Sequence, residues 1–196
     1  MFKIAVLISG GGSNLQAVID AVEARRLNAE IGLVIADRPA GGLDRAGRHG
    51  IPCCLLNRRE LGTDLSREIL NRIPDDTDLI VLAGYLSILT AEFTSRWEGR
   101  IINIHPALLP EFGGKGMYGM RVHEAVLKAG KTVSGCTVHY VDSGVDTGRI
   151  IGQSTVEVLP GDSPGDLQER VLEQEHRLLV DSIERIINTI SDNRAV

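Results

Sequence analysis

Apolar residues fall into two alternating patterns along the 196 positions of the chain. Short β-rich runs (KIAVLI, IGLVIA, PCCLL, DLIVLAG, RIINIH, TVSGCTVHYV and RIIGQSTVEV) recur along its length. Between the first five lie segments with helical spacing. In NLQAVIDAVEARR the side chains of Leu15, Val18, Ile19 and Val22 share one face, and LSREILNRI shows the same spacing. Alternation of strand and helix predicts an α/β fold: a mainly parallel twisted sheet with helices on both faces. The last two runs are joined by a loop alone, so a mixed edge is expected near the C-terminus.

The clearest helix follows Ser163-Pro164-Gly165-Asp166, which offers a capping serine, proline at the first helical position and an acid three residues after the cap. Beyond it Leu167, Val171, Leu172, Leu178, Leu179, Ile183, Ile186, Ile187 and Ile190 make one apolar stripe. Glu175 interrupts that stripe. A carboxylate there needs a partner or water. The long glycine-rich stretch LPEFGGKGMYG is of the functional kind, and residues 111–119 are expected to form a mobile lid.

Length and a hydrophobic content of 43% fit a single domain, residues 1–196. A net charge of −5 supplies no clustered cationic surface for nucleic acid or an anionic membrane, so any bound anion must be held by local geometry. The opening MFKIAVLISGGG is too short an apolar run for a signal peptide or a membrane span, which leaves a first strand in a cytoplasmic protein as the expectation. Cys53 and Cys54 are adjacent in an apparent strand and diverge. With Cys136 they suggest neither a disulfide framework nor a metal site.

Chemistry concentrates at three places. After the first strand comes Ser9-Gly10-Gly11-Gly12-Ser13-Asn14 and then a helix, an arrangement whose backbone N–H groups suit a phosphate. The plainer reading is a tight turn with Ser13 or Asn14 as helix cap. A dinucleotide fingerprint would need glycine where Leu15 stands, although Asp37 mimics its ribose-binding acid. In the fifth run Asn103 and His105 share a face, and Pro106 ends the strand beside them. That places an amide and an imidazole at the carboxyl end of a strand, where parallel sheets bind ligands, or else makes them a satisfied core pair. His139 reads as structural, and His49, His123 and His176 have no partner at metal-ligand spacing. The loop DSGVDTG carries Asp142 and Asp146, either turn formers or acids able to orient an imidazole.

Taken together, VLISGGGSNLQ, VLAGYLSIL, IINIHPALLP and SGCTVHYVDSGVDTGRII resemble the phosphoribosylglycinamide formyltransferase family, the folate-dependent transformylases of purine biosynthesis. The resemblance runs from Ala5 to about His176. It implies transfer of a formyl group from the cosubstrate 10-formyltetrahydrofolate to the amine of glycinamide ribonucleotide through a tetrahedral intermediate, with no metal. It further implies that Gly12, Ser13 and Asn14 hold the phosphate and that Glu175 contacts the ribose. Leu86, Ser87, Ile88 and Leu89 would lie along the pterin, with Asn103, Asp142, Val145 and Asp146 completing the folate site. Asn103, a protonated His105 and Asp146 fall on the catalytic positions. The resemblance also implies a formyltransferase fold in which residues 1–100 would form a Rossmann-like, phosphate-binding half and 101–196 the catalytic and folate-binding half. The partners implied are these small molecules, no nucleic acid and no membrane, with a homodimer allowed.

Two positions depart from the family pattern: Ser87 stands where many members carry arginine, and Arg149 follows DTG where proline is common. Methionyl-tRNA formyltransferase shares Asn-x-His and Asp but calls for a further C-terminal domain and a basic surface. A formyltetrahydrofolate deformylase usually has a further N-terminal domain. A nucleotide-binding regulatory module would leave Asn103 and His105 as core hydrogen-bonders.

Overall fold

The structure is a computed structural model that describes residues 1–194; the last two positions of the expected 1–196 span lie outside the described residues. All seven apolar runs become strands: β1 (Phe2–Ile8), β2 (Ala29–Ala36), β3 (Cys53–Leu55), β4 (Leu79–Leu82), β5 (Ile101–His105), β6 (Val133–Tyr140) and β7 (Ile150–Glu157). They form one sheet in the order β3-β2-β1-β4-β5-β6-β7. The first five are parallel, and β6 and β7 each run antiparallel to the neighbour before them, giving the expected mixed edge.

Strand periodicity assigns the core. In β1 the side chains of Ile4, Val6 and Ile8 enter one apolar cluster while Ala5 and Leu7 enter another on the opposite face. The first face is covered by α1 (Ser13–Glu23), through Leu15, Val18 and Ile19, and by α7 (Pro164–Arg194), through Leu167, Val171, Leu179, Ile183 and Ile187. The second is covered by α4 (Leu65–Arg72), through Leu65 and Ile69, and by Phe93 of α5 (Ala91–Arg96) with Trp97 just beyond it. Shorter helices α2 (Gly41–Arg48) and α3 (Arg58–Leu61) follow β2 and β3, and α6 (Met120–Lys128) leads into β6. Burying both faces in this way is what allows a sheet of nearly continuous apolar strands.

The start of α7 is a capping box. The Asp166 N–H donates to Ser163 Oγ at 3.2 Å, and the Asp166 carboxylate accepts from the Ser163 backbone N–H at 2.8 Å, so two helix-end donors are satisfied reciprocally. The helix lies on β6, β7, α1 and α6, and its stripe is buried as read, with Leu172, Leu178 and Ile190 half-buried at the margin. This docking carries Glu175 to the ligand-facing end of the sheet. Replacing Ser163 by alanine removes the cap and is expected to lower stability by about 1 kcal/mol, read as a lower urea midpoint with unchanged slope.

Candidate active site

A cavity of about 670 Å³ opens at the carboxyl end of β4 and β5. Its wall is made by residues 84–89, by 103–106, by the glycine-rich segment 114–119, by the loop after β6, and by Glu175 of α7. This is the crevice outside the strand ends where open α/β sheets bind ligands. Each of its polar groups is put there by a distinct element.

Asn103 and His105 sit at the end of β5, and antiparallel pairing sets His139 of β6 directly opposite Asn103. The Asn103 amide nitrogen lies 3.2 Å from His139 Nε2, and His139 Nδ1 lies 2.8 Å from the Tyr140 carbonyl. A carbonyl only accepts, so Nδ1 donates to it, and the Asn103 amide nitrogen is a donor, so Nε2 accepts from Asn103. His105 Nε2 likewise donates to the Phe112 carbonyl at 2.8 Å, leaving Nδ1 toward Asp146. Asp146 occupies the left-handed region, φ 57°, which turns its carboxylate back into the site. Its oxygens stand 3.6 Å from His105 Nδ1 and 3.6 Å from His139 Nε2, and one accepts the Gly114 N–H at 3.0 Å. Asn103, His105 and Asp146 are therefore brought together.

The charge state of His105 differs from expectation. Burial lowers the imidazole below its ordinary pKa, and the Asp146 carboxylate and the Phe112 carbonyl offset this only in part. The resting ring is neutral, not protonated, because desolvation of a buried cation outweighs one carboxylate at 3.6 Å. For Asp146, burial raises the carboxyl, but the His139 and His105 rings and the Gly114 N–H together hold it below the usual range. It remains ionised at neutral pH. His123, in the first turn of α6, is buried and lines the same cavity; burial, then His105, pushes it down to about 4.

From sequence His139 reads as structural, His123 has no assigned role and Phe112 does not stand out. A signal existed for His123, which shares a helix face with Val126 and Leu127. For His139 the signal lay in strand register alone.

At the other substrate-facing corner, Gly12 is the N-cap of α1 with φ 74°, and no side chain caps the helix. Ser13 and Asn14 are thus not caps. Instead Asn14 donates to Glu175 at 2.7 Å, so the acid that interrupts the α7 stripe has its partner. Burial raises the Glu175 carboxyl against the opposing hydrogen bond from Asn14. Gly10 and Glu175 lie on the cavity wall, whereas Gly12, Ser13 and Asn14 do not line it, and Asn14 connects to it through Glu175.

Asp37 is a structural hub. Burial alone would raise its carboxyl, but bonds from Arg38 (2.9 and 2.8 Å), Ser87 and Ser9 hold it below the ordinary range. Ser87 thereby turns its hydroxyl to Asp37, and the Leu86 N–H is committed to Ser9 Oγ at 2.8 Å. Leu86, Ile88 and Val145 expose apolar surface around the cavity, beside half-buried Leu89, as a flat apolar ligand requires. Asp142 accepts from the Gly144 N–H and the Thr147 hydroxyl and shapes the loop. Arg149 lies over the Tyr140 ring at 4.7 Å. Among the described residues no cluster of three or more His, Cys, Asp or Glu side chains is placed to hold a metal, and no helix is long and apolar enough to cross a membrane.

The family model described as formyl transferase matches residues 2–183. The chain belongs to the formyl transferase family. Within this formyl transferase family it is 42% identical over 184 residues to phosphoribosylglycinamide formyltransferase of Haemophilus influenzae, covering 91% of this chain and 84% of that one. It is 40% identical over 188 residues to the chloroplastic phosphoribosylglycinamide formyltransferase of Arabidopsis thaliana, covering 92% of this chain and 64% of that protein. The solved structure of phosphoribosylglycinamide formyltransferase from Bacillus halodurans superposes with a TM-score of 0.87 at 34% identity, covering 94% and 95% of the two chains. Against the trifunctional purine biosynthetic protein adenosine-3 of Drosophila melanogaster the chain spans 14% of the relative's length.

Asp146 favours the imidazolium of His105 and burial opposes it. Asp146→Asn therefore removes the larger of the two upward influences and is expected to move the His105 titration further down, as followed by imidazole ¹³C and ¹⁵N shifts against pH. An upward move contradicts this account.

Proposed function

We propose that this chain transfers a formyl group from 10-formyltetrahydrofolate to the primary amine of glycinamide ribonucleotide, releasing tetrahydrofolate, as a step of purine biosynthesis. What carries the reading is one juxtaposition: the Asn103 amide, the His105 imidazole and the ionised Asp146 carboxylate converge on one cavity whose other end is bounded by Glu175 and the glycine-rich turn. The names of the relatives support the same chemistry. The Gly12, Ser13 and Asn14 N–H groups take the phosphate at the start of α1, Glu175 takes the ribose hydroxyls, and the residues 86–89 with Asp142 and Val145 flank the pterin.

The amine attacks the formyl carbon, and the carbonyl oxygen gains negative charge. Asn103 Nδ2 and His105 Nε2 are the donors that stabilise that oxygen. Neutral His105 has a free Nδ1 facing Asp146, so the proton lost by the attacking amine, relayed by Asp146, is held at Nδ1 beside the carboxylate. Protonation there strengthens Nε2–H as a donor at the moment the oxyanion forms. Collapse then breaks the bond from carbon to the folate nitrogen, which receives the proton back.

On this reading the lid is the segment 111–119, whose Phe112 carbonyl and Gly114 N–H already contact the catalytic groups. The labour is divided roughly between residues 1–100 and 101–196, although 86–89 and the Asn14 bond to Glu175 cross that division. A cytoplasmic setting belongs to the same proposal and fits three free cysteines.

Two assays test it. His105→Ala and Asp146→Asn are each expected to lower formyl transfer by roughly 10² to 10⁴ while both substrates still bind, measured by deformylated folate formation and by calorimetry. Unchanged turnover in both variants removes their roles. Limited proteolysis at 111–119 is expected to slow when both substrates are present, and equal cleavage rates with and without them would exclude a lid.

A further inference from the structure

The glycine-rich turn has no cation of its own, yet the carbonyls of Gly10 and Gly11 are both held from α2. Gly42 N–H donates to the Gly10 carbonyl at 3.1 Å, and Arg45 Nε donates to the Gly11 carbonyl at 2.7 Å. In a trans peptide the C=O of one residue and the N–H of the next point in opposite directions. Tying the Gly11 carbonyl down toward α2 therefore turns the Gly12 N–H away from α2, to the side where α1 begins. The next carbonyl, of Gly12, accepts the Gln16 N–H at 2.9 Å as the first bond of α1, which aims the Ser13 N–H outward from the helix end. Successive donors are thus set by successive carbonyl anchors.

The packing leaves little freedom for another arrangement. A Cβ on Gly12 would lie 2.7 Å from the Gly42 Cα and 3.5 Å from Arg45 Cδ, so the turn and α2 touch backbone to backbone with the arginine stem alongside. Arg45 also reaches Gln16 Oε1 from Nη1 at 3.3 Å, tying the turn to the first turn of α1. In a chain of net charge −5, with Asp20 and Glu23 on α1 itself, this guanidinium is the cation held by direct bonds at the turn.

We propose that Arg45 is a positioning residue for the ribonucleotide phosphate: it holds the Gly11 carbonyl, turns the Gly12 N–H to the anion, and sets its positive charge beside the turn. This rests on the reading of residues 12–14 as the phosphate site. It assigns Arg45 to one substrate only, since the folate end of the cavity is built by other segments.

The test compares wild type with Arg45→Met and Arg45→Lys. Ribose 5-phosphate binding is measured by calorimetry and by the amide shifts of Gly12 and Ser13, and KM and kcat are measured separately for each substrate. Arg45→Met is expected to weaken ribose 5-phosphate binding about ten- to hundredfold, the range for a charge-assisted hydrogen bond, and to raise KM for the ribonucleotide with kcat and the folate KM unchanged. Arg45→Lys keeps the charge without the fork and recovers part of the binding. Equal binding by Arg45→Met and wild type overturns the proposal, as does a loss shared equally by kcat and the folate KM. Because binding is read without turnover, a wild-type protein that binds the probe and transfers no formyl group sinks the proposed activity alone.

Discussion

One carboxylate organises this molecule's working end. Asp146 is nearly buried between two imidazoles, in a left-handed backbone conformation that costs roughly 1 kcal/mol or more for a residue with a Cβ. It is held there by the Gly114 N–H of the glycine-rich segment, with His105 of β5 and His139 of β6 each 3.6 Å away. Gly113 has no side chain to keep that segment away; a Cβ there would stand 3.3 Å from the Asp146 Cβ. Strand order, loop conformation and the placement of the glycine-rich segment are therefore linked through one charge.

The switch from parallel to antiparallel pairing makes this geometry available. A parallel neighbour to β5 would carry its own carboxyl end to the cavity and then leave through a helix. Antiparallel β6 instead starts beside the carboxyl end of β5, sets Thr137 against His105 and His139 against Asn103, and runs out past Ile102 into the 141–149 loop, which brings Asp146 back to His105. On the opposite side, α7 brings Glu175 across to Asn14, so the long helix contributes both a core stripe and a site residue. A buried acid with a single strong donor is a costly thing to retain for packing alone.

Much of this was legible in the chain. Strands and helices followed from periodicity because each is apolar on the faces it buries, and the capping box marked the start of α7 because its signature is local. Asn103 and His105 stood out because one strand sets their shared face. His139 did not, because its meaning depends on which residue of β5 it opposes, and register between strands some thirty residues apart is not a local property. The charge of His105 was misread for a related reason. The carboxylate that favours the imidazolium is visible in sequence, whereas the burial that disfavours it exists only after folding. Ser13 and Asn14 look like caps in isolation, yet Gly12 takes the cap position and Asn14 turns inward to Glu175.

The neutral resting state of His105 has a consequence for the order of events. Its Nε2–H is satisfied by the carbonyl of Phe112, in the segment proposed as the lid. For that N–H to serve a substrate oxygen, the carbonyl must be exchanged for the oxygen, so the imidazole becomes available only as the 111–119 segment adjusts. The exchange replaces one neutral acceptor by another at the ground state and by an anion at the transition state. The gain is thus concentrated where charge develops, which is the condition for an interaction to accelerate a reaction and not merely tighten binding. In the proposed mechanism Asp146 takes part at both ends of this step, bonded to Gly114 of the 111–119 segment and facing Nδ1 of the ring that it helps to charge.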